Sequence, residues 1–78
     1  MKINIFGSTG IIGDKSLKIL KKNFSNIKIN LLFANKNYKK IILQAKTYKP
    51  KYICIKNNDY IKLIKPKIDK KINIITFD

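Results

Sequence analysis

The chain contains three glycines, and all of them fall between positions 7 and 13. They are spaced three apart in Gly7-Ser8-Thr9-Gly10-Ile11-Ile12-Gly13, after the alternating run Lys2-Ile3-Asn4-Ile5-Phe6 and before a lysine-rich amphipathic segment. Apolar–polar alternation marks a strand, and apolar residues at helical spacing mark a helix. A glycine turn joining the two is the arrangement that lets backbone approach a dinucleotide's phosphates. Gly7 lets the chain turn sharply off the strand. Gly10 removes a Cβ that would hold a pyrophosphate away, and Gly13 lets the helix pack close to the sheet. The helix start offers unpaired N–H groups and the positive end of its dipole. Ser8 and Thr9 are expected to add hydroxyl donors.

The rest of the pattern repeats strand and helix. It predicts strands over 2–6, 27–33, 52–55 and 72–77, and helices over 11–23, 38–48 and from Asn57 or Asn58 to about Ile64. Gly13, Leu17, Leu20 and Phe24 fall on one face of the first helix, and Tyr38, Ile41, Ile42, Ala45 and Tyr48 on one stripe of the second. The apolar run Leu31-Leu32-Phe33 predicts burial of the second strand on both faces. Pro50 and Pro66 are helix stops, and Lys49, preceding a proline, is biased away from helix. Helices between successive strands imply parallel pairing through right-handed crossovers. The expected fold class is α/β: the first half of a doubly wound, Rossmann-like parallel sheet with four strands and three helices. Residues 1–78 form one partial N-terminal domain, in which the first strand has a bare edge and becomes central once the domain is complete.

Charge raises a different possibility. The 78 residues include 18 Lys, no Arg and no His, with four Asp and no Glu, for a net charge of +14. A basic chain invites a nucleic-acid or anionic-membrane partner. Selection for phosphate recognition enriches Arg, however, and none is present. Lys, Ile and Asn together are what an AT-rich genome writes by default. The lysines are scattered, and Tyr38, Tyr48, Tyr52 and Tyr60 fall on helix stripes or strand ends. A small basic nucleic-acid binder is therefore the non-enzyme alternative, and neither nucleic acid nor membrane is the expected partner. Cys54, alone in an apolar run, reads as a buried hydrophobe and fits a reducing compartment. No apolar run approaches the about 18 residues of a membrane span. The N-terminus enters a strand directly and leaves no room for a signal sequence, so a cytoplasmic location is expected. Asp14, Asp59, Asp69 and Asp78 show no metal-ligand spacing and read as solvated turns or helix ends.

A second site follows the second strand. Dinucleotide folds selecting NAD place a carboxylate there for the ribose hydroxyls. This chain has Asn35, Lys36 and Asn37: one ammonium, two amides and no carboxylate to repel a 2′-phosphate. That chemistry favours NADPH over NADH.

Taken with "FGSTGIIGDKSLKIL", the stretches "INLLFANKN" and "AKTYKPKYICI" resemble the N-terminus of the 1-deoxy-D-xylulose 5-phosphate reductoisomerase family. The resemblance covers nearly the whole chain and is weakest after Asn58. It implies NADPH contacts at Thr9, Gly10, Ile11 and Ile12 and at Asn35, Lys36 and Asn37, with Gly7, Ser8 and Gly13 shaping the turn. The family usually has Ser where this chain has Ile11, and Gly where it has Asn35. Asn tolerates a left-handed backbone, so the turn is expected to survive. The implied reaction isomerises 1-deoxy-D-xylulose 5-phosphate and reduces it with NADPH to 2-C-methyl-D-erythritol 4-phosphate, in the methylerythritol phosphate route to isoprenoids. The full-length family uses Mg²⁺ or Mn²⁺, a sugar-phosphate substrate and a homodimer, in the cytoplasm or, in eukaryotes, a plastid-type organelle. No catalytic or metal-binding residue is assigned here, and the chain alone is expected to be inactive. Another NADP-dependent oxidoreductase sharing the Gly-Ser-Thr-Gly turn is the enzyme alternative.

Overall fold

The computed structural model describes residues 2–76. Strand β1 (Lys2–Phe6) leads through the glycine turn into helix α1 (Ile11–Asn23), strand β2 (Lys28–Ala34), helix α2 (Tyr38–Tyr48) and strand β3 (Tyr52–Ile55). A 3₁₀ turn (Asn58–Tyr60), the single-turn helix α3 (Ile61–Ile64), a second 3₁₀ turn (Lys65–Lys67) and strand β4 (Asn73–Ile75) complete it. The expected elements are all present. β2 runs one residue later than its pattern predicts, and β4 is shorter at both ends. The predicted extension of β4 to Phe77 lies outside the described residues.

The strands form one parallel sheet in the order β1-β2-β3-β4. Each strand after the first pairs with the one before it, and among the described residues the outer edge of β1 has no partner strand. Between Ile3 and Asn4 the register slips by one, because Asn30 is an extra residue on β2. The slip brings Asn30 beside Asn4, and its Nδ2 donates to Asn4 Oδ1 at 2.9 Å.

Register explains the core. Leu32, Ala34, Ile53 and Ile55 share one face of the sheet and are essentially buried. Leu17 of α1, Ile41, Ile42 and Ala45 of α2, and Ile64 of α3 join them in a single cluster. All three helices therefore cover the same face. The opposite face carries the row Phe6, Phe33, Cys54 and Ile75, and among the described residues no helix lies over it. Phe6 is 70% exposed, its ring 5.9 Å from that of Phe33. Burial of β2 on both faces is thus corrected: its apolar run reflects a strand with one covered and one open face. Phe24 is corrected too. It caps α1 beyond the last turn and stands 53% exposed.

Helix ends follow local chemistry. Lys49 stops α2 in the left-handed region (φ 49°), with its N–H on Ala45 O. The Asn57 side chain accepts from Asp59 N and starts the first 3₁₀ turn. Pro66 lies within the second 3₁₀ turn just beyond α3, where a missing N–H costs little. Tyr38 and Tyr60 stack with centroids 4.8 Å apart, joining the start of α2 to the β3–β4 crossover. Cys54 is buried as expected, and burial raises its thiol pKa.

The two faces should respond oppositely to mutation. Leu32→Ala removes a fully buried side chain and should cost about 2–5 kcal/mol, enough to unfold a domain this small by circular dichroism. Phe6→Lys should shift stability by less than about 0.5 kcal/mol and reduce self-association in light scattering.

Candidate dinucleotide-binding site

The glycine turn is held by backbone alone. Gly7 adopts φ +70°, and its N–H and that of Ser8 both donate to Phe33 O, at 2.7 and 3.0 Å. Gly10 N–H closes the turn onto Gly7 O at 3.0 Å. Gly10 then caps α1 in extended geometry with no side-chain hydrogen bond. Helix geometry leaves the N–H groups of Ile11, Ile12 and Gly13 without a carbonyl inside the helix. A Cβ on Gly10 would sit 3.3 Å from Gly7 O. A Cβ on Gly13 would drive into Gly7 O and lie 2.9 Å from both Gly7 C and Ser8 Cα. Gly13 therefore allows close packing, as expected, but against the turn itself more than against the sheet.

A cleft of about 650 Å³ opens beside this turn, lined by residues that include Phe6, Gly7, Gly10, Ile11, Ile12 and Ser16. Ile11 and Ile12 are 76% and 81% exposed, so their side chains flank the cleft without filling the core. Thr9 is half-buried. Ser8 departs from expectation. It is fully buried, and its Oγ has no hydrogen-bond partner among the described residues. Ser8 is also absent from the residues that line the cleft.

The side chain beneath the turn is Gln44, which the sequence reading did not single out. It is 4% exposed, and its Nε2 donates to Ser8 O at 2.7 Å and to Asp14 Oδ1 at 3.1 Å. Asp14 also pairs with Lys18 at 3.2 Å and Lys40 at 3.6 Å. The Gln44 bond first, and Lys18 next, hold the Asp14 carboxyl below its ordinary pKa. Asp14 is thus a junction between α1 and α2, where a solvated helix end was expected. The sequence did carry a signal: Gln44 lies on the Ile41–Tyr48 stripe, and a polar residue on an apolar stripe needs an internal partner.

Asn35, Lys36 and Asn37 lie exposed at the end of β2. Asn37 caps α2, its Oδ1 accepting from Lys40 N at 3.2 Å. Asn35 does not take the left-handed conformation anticipated for it; among the described non-glycine residues only Lys49 has positive φ. Asn35 O accepts from Asn57 N at 3.3 Å, so the chain leaves β2 beside β3, and a tight turn at Asn37, with Tyr38 N donating to Lys36 O at 2.8 Å, leads into α2. Both groups of expected contacts therefore lie at the carboxyl ends of the parallel strands, where ligands bind in such sheets.

The lysines are less scattered in space than in sequence. Lys2, Lys28, Lys49, Lys51 and Lys71 line a cleft of about 710 Å³ at the amino ends of the strands, with Asp69. α2 ends there at Tyr48, and cations complement a helix's negative C-terminal end. The tyrosines do not form a basic recognition face: Tyr38, Tyr48 and Tyr60 pack against the core.

Gly13→Ala should cost at least about 1–3 kcal/mol by overpacking, read by thermal unfolding. Gln44→Leu should cost about 1–3 kcal/mol by leaving Ser8 O and Asp14 short of a donor. Asp14 has a folded pKa below its ordinary 3.8. Its contribution is therefore complete above that value and lost as pH falls through the depressed one. Asp14→Asn should flatten the acid limb of a stability–pH curve recorded by urea unfolding.

Comparison with known proteins agrees with this geometry. The family model described as 1-deoxy-D-xylulose 5-phosphate reductoisomerase matches residues 3–77. The enzyme of that name from Pelagibacter ubique (strain HTCC1062) is 44% identical over 77 residues, covering 99% of this chain and 20% of the relative. That from Buchnera aphidicola subsp. Schizaphis graminum is 39% identical over 72 residues, covering 91% and 18%. A DOX-P reductoisomerase crystallised with NADPH, fosmidomycin and magnesium superposes on the whole chain with a TM-score of 0.84 at 26% identity, covering 20% of that structure. The Zymomonas mobilis enzyme with NADPH shares the fold, with a TM-score of 0.87 at 22% identity, covering 96% and 20%. The chain thus spans about a fifth of the length of its relatives. These matches favour neither another class of NADP-dependent oxidoreductase nor a small nucleic-acid binder. The chain belongs to the 1-deoxy-D-xylulose 5-phosphate reductoisomerase family.

Proposed function

We propose that these residues form the NADPH-holding part of a 1-deoxy-D-xylulose 5-phosphate reductoisomerase. The observation that carries the reading is the glycine turn: free N–H groups at the start of α1, a tight backbone packing that Cβ atoms on Gly10 and Gly13 would crowd, and a cleft beside it. The backbone N–H groups of Ile11, Ile12 and Gly13 hold the pyrophosphate, with Thr9 and Gly10 at its edge. Lys36, with Asn35 and Asn37, holds the adenosine 2′-phosphate. Bound NADPH would supply hydride to the carbonyl formed on isomerisation. The part of this chain is to fix the cofactor's adenosine and pyrophosphate end. Ile11 removes the usual Ser hydroxyl but leaves its N–H, so the loss falls on one hydrogen bond.

The divalent metal of the family does not fit the residues described. Among them no group of three His, Cys, Asp or Glu side chains could hold one. We place the metal ligands, the grip on substrate phosphate and the remaining domains outside this stretch, in line with its coverage of a fifth of the relatives. On this reading residues 1–78 are a partial N-terminal domain in which β1 becomes central, and the whole enzyme is a homodimer of the methylerythritol phosphate pathway. A cytoplasmic location accords with the unpaired Cys54 thiol. Among the described residues no helix is long and apolar enough to cross a membrane.

Calorimetric titration should show tighter binding of NADPH than of NADH, and Lys36→Ala should weaken NADPH by about five- to twentyfold while sparing NADH. Equal loss for both would show that Lys36 does not read the 2′-phosphate. The purified 78-residue chain, given NADPH, substrate and Mg²⁺ or Mn²⁺, should oxidise no NADPH above the buffer control. Turnover that survives repeated purification would overturn the assignment of catalysis to residues elsewhere.

A further inference from the structure

The ladder between β2 and β3 does not stop where the strands do. Ala34 pairs with Ile55, and beyond that pair Lys56 N donates to Ala34 O at 2.9 Å and Asn57 N to Asn35 O at 3.3 Å. The loop after β2 and the loop after β3 therefore run side by side, clamped by backbone. A cleft of about 540 Å³ lies between them, lined by Asn35, Lys36, Lys56, Asn57, Asn58 and Asp59. Neither Lys36 nor Lys56 forms an ion pair among the described residues, although Asp59 shares the wall. The Asn57 side chain is already engaged by Asp59 N at 3.0 Å, which holds this loop in one shape.

We propose that Lys56, which lines this cleft together with Lys36, is a second specificity-determining residue and helps to clamp the 2′-phosphate of the adenosine moiety. The proposal deepens the dinucleotide reading and rests on it. A phosphate monoester carries close to two negative charges at neutral pH. One ammonium on a flexible stem answers only half of that, whereas two ammoniums from adjacent clamped loops match it. The single carboxylate in the wall, Asp59, penalises an anion held by one lysine and leaves two lysines in surplus. A ligand lacking the 2′-phosphate gains nothing from either ammonium, so the pair sets discrimination more than affinity.

The test compares adenosine 2′,5′-bisphosphate with ADP, which lacks the 2′-phosphate, by calorimetry and amide chemical shifts on the full 78-residue chain. Lys56→Ala should weaken the bisphosphate by about five- to twentyfold and change ADP by less than about twofold. Lys36→Ala should do the same, and the double variant should abolish the preference. Lys56 is exposed, so its loss should leave the circular dichroism spectrum unchanged. Lys46→Ala, exposed on α2 outside the cleft lining, controls for net charge and should alter neither ligand. Equal weakening of both nucleotides by Lys56→Ala, or an unchanged preference while Lys36→Ala destroys it, would overturn the role of Lys56 and leave the dinucleotide reading intact. A wild-type chain that binds neither nucleotide would overturn both.

Discussion

The carbonyl of Phe33 accepts two N–H groups, from Gly7 and Ser8, and the site depends on that shared acceptor. It fixes where the chain leaves β1 relative to the end of β2. Gly7 can meet the geometry because it takes φ +70°. With the turn fixed, Gly13 comes so close to Gly7 and Ser8 that only a hydrogen fits between, which sets the direction of α1. The line of free N–H groups at the helix start thus follows from a contact between backbones. Gln44 supports the same turn from beneath, through Ser8 O, and ties it to α2.

Much of this was legible in the amino-acid sequence, because the signals were local. α1 and α2 begin and end at the predicted residues, set by the glycine turn and Asn37 before them and by Phe24 and Lys49 after them. The glycine turn was legible because glycine occurs nowhere else in the chain. What escaped was non-local. Nothing near Asn30 announces that the register slips there, since a bulge is defined by the partner strand. Apolar residues in β2 looked doubly buried because pattern cannot tell a covered face from one left open. The burial of Ser8 was not legible either, since its chemistry shows in the sequence and its surroundings do not. Lys56 was lost among many lysines; only the pairing of β2 with β3 brings its loop to the cleft that Lys36 lines.

The distribution of polar groups separates the two ends of the sheet. At the carboxyl ends, backbone N–H groups and a few side chains converge on clefts of modest size. At the amino ends a larger cleft is ringed by lysines, with a helix's carbonyl end beside it. The broader basic surface is thus not where the dinucleotide reading lies. Charge alone would draw attention to the amino-end edge, whereas the free N–H groups at a helix start draw it to the other.

The strand order carries a consequence for how the chain assembles. Because β1, β2, β3 and β4 are neighbours in the same sequence as in the polypeptide, each new strand docks on one already made. Among these four strands no pairing waits for a distant segment, and each closure spans one crossover. Such a sheet can grow stepwise as the chain leaves the ribosome, adding one strand and one helix to a platform whose first turn is already locked. Among the described strands none takes the outer edge of β1 during this growth. The earliest strand to form is therefore also the one longest available for a wrong partner.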